Sequence, residues 1–360
     1  FDTTDYWDYK PGDSTVTIKS CTVDGSGYGF WLGGFKGKNC SFSGNVLNGK
    51  AQPYDVTTGW GITGYGLSLS GGDYQLTADN EFKVENFYIG IYGWNNNSLS
   101  VAKKTITKNV HGLYSSTNKS VDVSKCDISN NYAYGFLDYY TTALSLSDTT
   151  ANNNAYYGIL SYGHWYLPEY CQNLSLKNVT ANNNGYYGLY VWEPKSVDVK
   201  GLTCSDNKYW GTVLYTNYGK YIWDENESYR SYFKDGKRPT FVPSISFQDV
   251  TAKNNYYSGG LHFYSYEGTG STTPAKDKPW LRSDSQYIAL KNITCDDNMW
   301  YGIYLGYCTC LDSTNSILNL ETKNNYYGIV FNGQSVVMDG LRGMNIRDNA
   351  YGLCVWYGNA

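Results

Sequence analysis

A chain of 360 residues with 41% apolar and 17% aromatic residues has ample material for a core, and its low charged fraction of 17% sets it apart from disordered chains. The net charge of −4, with arginine at only five positions, leaves no basic footprint for nucleic acid. No apolar run approaches the ~20 residues of a membrane-spanning helix, and the opening on Phe1 rather than methionine reads as a processed or excised segment.

A repeat organises the chain. Taken in order, its anchors are Gly29, Gly66, Gly90, Gly112, Gly135, Gly158, Gly188, Gly211, Gly259, Gly302, Gly328 and Gly352. Uninterrupted spacings run from 22 to 26 residues, and the longer ones carry insertions. Tyrosine precedes the glycine in eight of the twelve units. Asparagine stands four residues before it in eight, at Asn86, Asn131, Asn154, Asn184, Asn207, Asn255, Asn298 and Asn324. Each unit contains three short alternating pieces, such as Val197-Asp198-Val199, Leu202-Thr203-Cys204 and Thr212-Val213-Leu214-Tyr215. Period-two alternation bounded by Gly, Asn and Asp predicts strands, and no segment carries a helical period. Three strands per turn, turn stacked on turn, predict an all-β parallel solenoid of about twelve coils spanning residues 1–360 as a single domain. The asparagine column is expected to stack amide on amide inside the turn, and the glycine to supply positive φ.

Units such as the one from Val197 to Gly211 resemble the right-handed parallel β-helix class, which implies a single-stranded helix of that kind over about Ser14 to Tyr357. That class houses pectate-lyase-like enzymes, tailspikes and adhesins, so membership alone leaves function open.

Four insertions interrupt the repeat, at Leu47–Gly61, Gly163–Gln172, Thr216–Ser244 and Ser265–Gln286. The last three leave from the same corner and carry Trp165, Trp223 and Trp280 among many aromatics. Loops of that length are uncommon as passive connections. In the strand after each glycine, positions one and three are expected to face inward and positions two and four outward. Position four is aromatic at Trp94, Tyr139, Tyr162, Trp192, Tyr215, Phe263 and Trp356, and position two adds Tyr92, Tyr114, Tyr190 and Tyr304. An exposed aromatic stripe suits sugar rings, whose CH faces lie on aromatic faces while Tyr and Asn bond their hydroxyls. Rings stacked turn on turn present edges rather than faces, which makes the loop tryptophans a second candidate surface. The expected ligand-binding residues are therefore Trp94, Tyr139, Tyr162, Trp165, Tyr190, Trp192, Tyr215, Trp223, Phe263 and Trp280.

Chemistry is harder to find. Asp296, Asp297 and Asp206 replace turn asparagines, and Asp138 reads as inward-facing without a second carboxylate. The pectate-lyase pattern of clustered aspartates opposite an arginine is missing, and of the polygalacturonase pattern only Gly163-His164-Trp165 comes near. His111 occupies the usual tyrosine position, which points to structure. Among the nine cysteines, Cys126, Cys204 and Cys295 fall in columns of small or apolar residues and read as core thiols, while Cys308 and Cys310 lack a second pair with zinc spacing. No cofactor and no metal is expected.

The chain also resembles the C-terminal domain of tāpirins, surface adhesins of thermophilic cellulose-degrading bacteria, in being a tyrosine-rich β-helix with a long loop beside an aromatic surface. The likeness is one of character and rests on no specific motif. It implies secretion to the cell surface, a monomer or one domain of a larger surface protein, and a polysaccharide partner, cellulose foremost. The expected function is non-catalytic binding of that insoluble polymer. The alternative is a polysaccharide lyase or glycoside hydrolase of the pectate-lyase-like type.

Overall fold

The computed structural model describes residues 16–34, 36–37, 40–50, 64–77, 82–163, 172–216, 244–265, 287–306, 318–332 and 343–356. They contain strands and turns and no helix. The chain forms two compact units, Phe1–Leu160 and Ser161–Ala360.

In the first unit the strands that follow the anchor glycines form one parallel sheet. Its members, in spatial order, are Phe30–Gly33, Tyr65–Ser70, Ile89–Trp94, His111–Ser116 and Tyr134–Tyr139. A second parallel sheet holds Asp73–Leu76, Ser98–Ala102, Ser120–Ser124 and Ala143–Ser147. A third holds Thr22–Ser26, Val46–Gly49, Phe82–Glu85 and Lys104–Thr107. Three parallel sheets wrapped by one chain make a β-helix, as the repeat predicted. Leu47, the expected start of an insertion, is wholly buried within the strand Val46–Gly49.

The second unit keeps the post-glycine sheet, through Leu189–Trp192, Trp210–Thr216, Gly259–Ser265, Tyr301–Gly306, Tyr327–Asn332 and Tyr351–Trp356. The other two predicted pieces fuse here into longer strands, among them Pro194–Thr203, Ser244–Thr251 and Tyr287–Asp296. Each bends at a left-handed residue, Gly201, Asp249 or Asn292. One such residue turns the chain without ending the ladder, and Gly, Asp and Asn tolerate that conformation best.

Positions one and three after the glycine fill the core: Leu67 and Leu69, Ile303 and Leu305, and Ile329 and Phe331 are wholly buried. The anchor glycines are required by space rather than by positive φ. A Cβ at Gly112 would stand 2.6 Å from the carbonyl oxygen of Gly135, and one at Gly302 would stand 2.5 Å from that of Gly328. The left-handed residues lie earlier in the turn, at Asn130, Asn153, Asn183, Asp206, Asn254 and Asp297. The asparagine that follows each of them is buried and stacked. Asn131 Nδ2 donates to Asn154 Oδ1 at 3.1 Å, Asn184 Nδ2 to Asn207 Oδ1 at 3.0 Å, and Asn255 Nδ2 to Asn298 Oδ1 at 2.8 Å. Where the turn is one residue shorter, the column passes to Asn109 and Asn325, and Asn86 and Asn324 are themselves the left-handed residues.

Candidate functional site

Outward positions of the post-glycine sheet carry rings in both units. In the first, Tyr65, Tyr92 and Tyr114 follow one another at centroid distances of 5.5 and 5.2 Å, and Tyr114 meets Tyr139 at 5.9 Å. Trp94 is 40% exposed but pairs in register with Ser70 and Ser116, so it stands apart from Tyr139. His111 stacks on Tyr134 at 5.1 Å and meets the edge of Tyr88. Burial pushes its pKa down to about 4. This agrees with a structural role for His111.

The second unit gathers four of the ten predicted residues. Tyr162, Tyr190, Trp192 and Tyr215 are half-buried and mutually in contact, with Tyr162 6.2 Å from Trp192, Trp192 5.3 Å from Tyr215 and Tyr190 5.8 Å from Tyr215. Phe263 does not belong with them. Its side chain is wholly buried and packs on Phe247 at 4.8 Å. The strand register pairs Leu214 with Phe263 and Tyr215 with Tyr264. The anchor of this coil is therefore Gly260, whose Cβ would lie 2.7 Å from the carbonyl oxygen of Gly302. The Gly259-Gly260 doublet shifts the sequence alignment by one, and a shift of one inverts the faces of a strand. Tyr264 takes the outward place. Trp165, Trp223 and Trp280 lie outside the described residues.

Ring orientation separates two kinds of column. Immediately before the glycine, rings lie nearly parallel: Trp210 and Tyr301 at 15°, Tyr301 and Tyr327 at 15°, Tyr327 and Tyr351 at 24°. Such a stack offers edges outward. Four residues after the glycine, neighbours tilt by 45° between Tyr162 and Trp192, 55° between Trp192 and Tyr215, and 64° between Tyr215 and Tyr264. A tilted pair cannot cover both of its faces, so this column offers π-faces to a ligand.

Rings of the turn before the glycine are more exposed still, among them Tyr256 at 65%, Tyr351 at 50%, Tyr257 at 45% and Trp300 at 42%. These were missed because the Asn-x-x-Tyr-Gly segment was read as scaffold. Its asparagine and glycine face inward, while most of its rings do not. Their signal in the sequence was the doubled aromatics Tyr256-Tyr257, Trp300-Tyr301 and Tyr326-Tyr327; in the last two one ring packs and the other projects, and in the first both are exposed.

The carboxylates singled out in the sequence are held in structural contacts or turns. Asp138 is wholly buried and accepts the Thr141 hydroxyl, which lies 2.9 Å from the Ser115 hydroxyl inside the coil. Asp296 is buried and bridged to Lys253 at 2.9 Å, while Asp297 and Asp206 are left-handed turn residues. Among the described residues no three His, Cys, Asp or Glu stand close enough together to hold a metal, and no helix is long and apolar enough to cross a membrane. Cys126, Cys204 and Cys295 are buried free thiols, with burial pushing Cys126 up to about 11 and Cys204 up to about 12. Thiols held that far above neutrality are inert core residues.

A family model described as a right-handed β-helix region matches residues 10–165. With the parallel sheets above, the chain is an all-β, right-handed parallel β-helix. No curated protein matches the sequence. Among solved structures, it is similar to the catalytic domain of a GH87 α-1,3-glucanase. Two complexes with nigerose each give a TM-score of 0.36, at 12% and 13% identity over 97% of this chain. A complex with tetrasaccharides gives 0.32, at 12% identity over 96%. The chain spans 62–64% of the length of those structures. Likeness at that level says nothing of activity.

Proposed function

We propose that the protein binds an insoluble polysaccharide without cleaving it, cellulose foremost, and serves as a secreted cell-surface adhesin of the kind the tāpirin C-terminal domain represents. The tilted column Tyr162, Trp192, Tyr215 and Tyr264 carries this reading. Coils repeat at ~4.8 Å, so a polymer laid along the column meets a ring at each step. Contacts that are weak singly then add through effective concentration. Sugar CH faces lie on the rings, and the phenol hydroxyls bond sugar hydroxyls at the edges. The inward burial of Asp138 and the Lys253 bridge on Asp296 speak for binding over hydrolysis.

Adsorption to microcrystalline cellulose tests the proposal. The double variant Trp192→Ala, Tyr215→Ala is expected to lower the partition constant at least tenfold with the denaturation midpoint little changed. Undiminished adsorption overturns the ring column as the binding surface. Release of reducing ends or unsaturated products from a panel of pectins, xylans and glucans overturns the non-catalytic reading.

A further inference from the structure

On the outer face of the second unit, one place leaves buried polar atoms without partners. His262 stands among four rings, with Trp210 edge-on at 4.8 Å, Tyr304 stacked at 4.8 Å, Tyr215 at 5.5 Å and Tyr264 at 6.3 Å. The residue as a whole is half-buried, yet both ring nitrogens are sealed from solvent and neither has a hydrogen-bond partner. Two coils on, Asn332 Nδ2 donates to the Tyr304 hydroxyl at 2.5 Å, while Asn332 Oδ1 is buried and unpartnered. Native folds rarely leave such groups unsatisfied, and the fold does not require them here. In the register column of His262 the neighbouring coils carry Tyr190, Val213, Tyr304 and Val330.

The same place interrupts the ring column. Reading across the register, Tyr264 is followed by Gly306, then Asn332, then Trp356. A side chain is missing at one coil and short at the next, and the flanking rings lean over the gap from both sides, with Trp356 reaching to 6.5 Å from Tyr304 and 5.3 Å from Tyr327. Tyr264 leans into the opening, its ring edge 2.5 Å from the point a Cβ of Gly306 would occupy. The floor of the notch is the Tyr304 hydroxyl, the Asn332 amide and, behind Tyr264, the His262 imidazole. Neutral imidazole has one donor and one acceptor nitrogen, and the amide oxygen adds an acceptor. Burial, which pushes the His262 pKa down to about 4, keeps that ring neutral. Among the described residues, no lysine or arginine occupies the outward positions of this sheet from Tyr187 to Trp356.

We infer that His262, Tyr304 and Asn332 form a subsite that reads the hydroxyls of one neutral sugar ring, held in the notch between Tyr264 and Trp356. This rests on the polysaccharide-binding reading and adds to it: the ring column supplies adhesion, and the notch supplies selection for a neutral glycan. Entry requires Tyr264 to swing off Gly306 and Trp356 to swing off Tyr304.

Titration calorimetry with cellohexaose and with an oligogalacturonate of equal length tests the inference. Wild-type protein is expected to bind cellohexaose at least tenfold more tightly. His262→Phe, which keeps a ring in place, and Asn332→Val, which suits a strand, are each expected to weaken that binding at least fivefold. Adsorption to microcrystalline cellulose is expected to fall less than cellohexaose affinity does, because the rings of Tyr162, Trp192 and Tyr215 remain in place. Unchanged cellohexaose affinity in both variants overturns the subsite, as does wild-type protein that prefers the oligogalacturonate or binds neither. Failure of the adhesion reading shows separately, as normal cellulose adsorption by Trp192→Ala, Tyr215→Ala.

Discussion

Two columns of the second unit, only a few residues apart in every coil, follow opposite rules. The inner one is asparagine at Asn184, Asn207, Asn255, Asn298, Asn325 and Asn349, each link made by a main-chain N–H and a side-chain amide to the same acceptor oxygen. Its geometry ignores what lies between coils. The main-chain link is 3.0 Å from Asn184 to Asn207, 23 residues apart, and 3.1 Å from Asn207 to Asn255, 48 apart. The outer column changes at nearly every step, from Trp192 through Tyr215, Tyr264, Gly306 and Asn332 to Trp356. In a stacked repeat, each coil needs the same thing from its neighbours. What recurs without change is therefore what stacking demands, and what varies is released for another purpose. Bond satisfaction adds to the contrast: the inner amides are paired throughout, while the outer face carries unpartnered buried atoms at His262 and Asn332, with others off the asparagine column at Thr212 and Asp296.

The contrast breaks most sharply at the inner column. Asn255→Ala leaves the Asn207 main-chain N–H and Nδ2 buried without an acceptor. Each orphaned donor costs ~1–3 kcal/mol, so the variant is expected to lose about 2–5 kcal/mol in urea denaturation. Adsorption per folded molecule should be unchanged. A loss below about 1 kcal/mol would show that the ladder is incidental to the fold.

Next in size is a pH effect carried by His111 and His262. Burial lowers each from the ordinary value of 6.5 to about 4. Between those values the unfolded chain takes up a proton that the native protein refuses, so stability is full above about pH 6.5 and falls as the pH drops toward 4. The loss approaches ~3 kcal/mol per histidine, an upper figure from 1.36 kcal/mol per pKa unit. Urea midpoints at pH 7 and pH 4.5 read it. His262→Phe and His111→Phe should each remove about half of the slope that the pair contributes, and a slope untouched in both would place it on other groups.

Much of this architecture was legible because the repeat makes its own alignment. Twelve glycines set the coils, and alternation beside them set the faces. The alignment failed where the local signal was degenerate. Gly259 and Gly260 both satisfy the pattern, and only the space beneath the next coil decides between them, since the Gly260 position abuts Gly302 and Cys295. That single step turned Phe263 from core into supposed surface. The turn aromatics misled for a different reason. Trp300 and Tyr301 are both aromatic in sequence, yet the first is 42% exposed and the second half-buried, and projection from a turn has no period to read. His262 gave no signal at all, because its environment is assembled from three coils.

The smallest expected effect sharpens where the adhesive surface ends. Tyr256 and Trp300 project from the turn that the asparagine column builds, so they belong by position to the scaffold and by exposure to the face. If exposure decides, Tyr256→Ser and Trp300→Ser should each leave stability within about 0.5 kcal/mol, as surface changes do. Each should then lower the cellulose partition constant two- to threefold, less than the loss at Trp192, because Tyr256 and Tyr257 meet at 84° and Trp300 and Tyr326 at 71°, so that each ring presents alone rather than as part of a continuous column. If position decides, adsorption will not move and stability will fall, since a ring packed across the turn would be holding it. The two readings predict opposite signs for one pair of measurements, and Trp300, set between Tyr326 and the exposed Met299, is the residue where they diverge most.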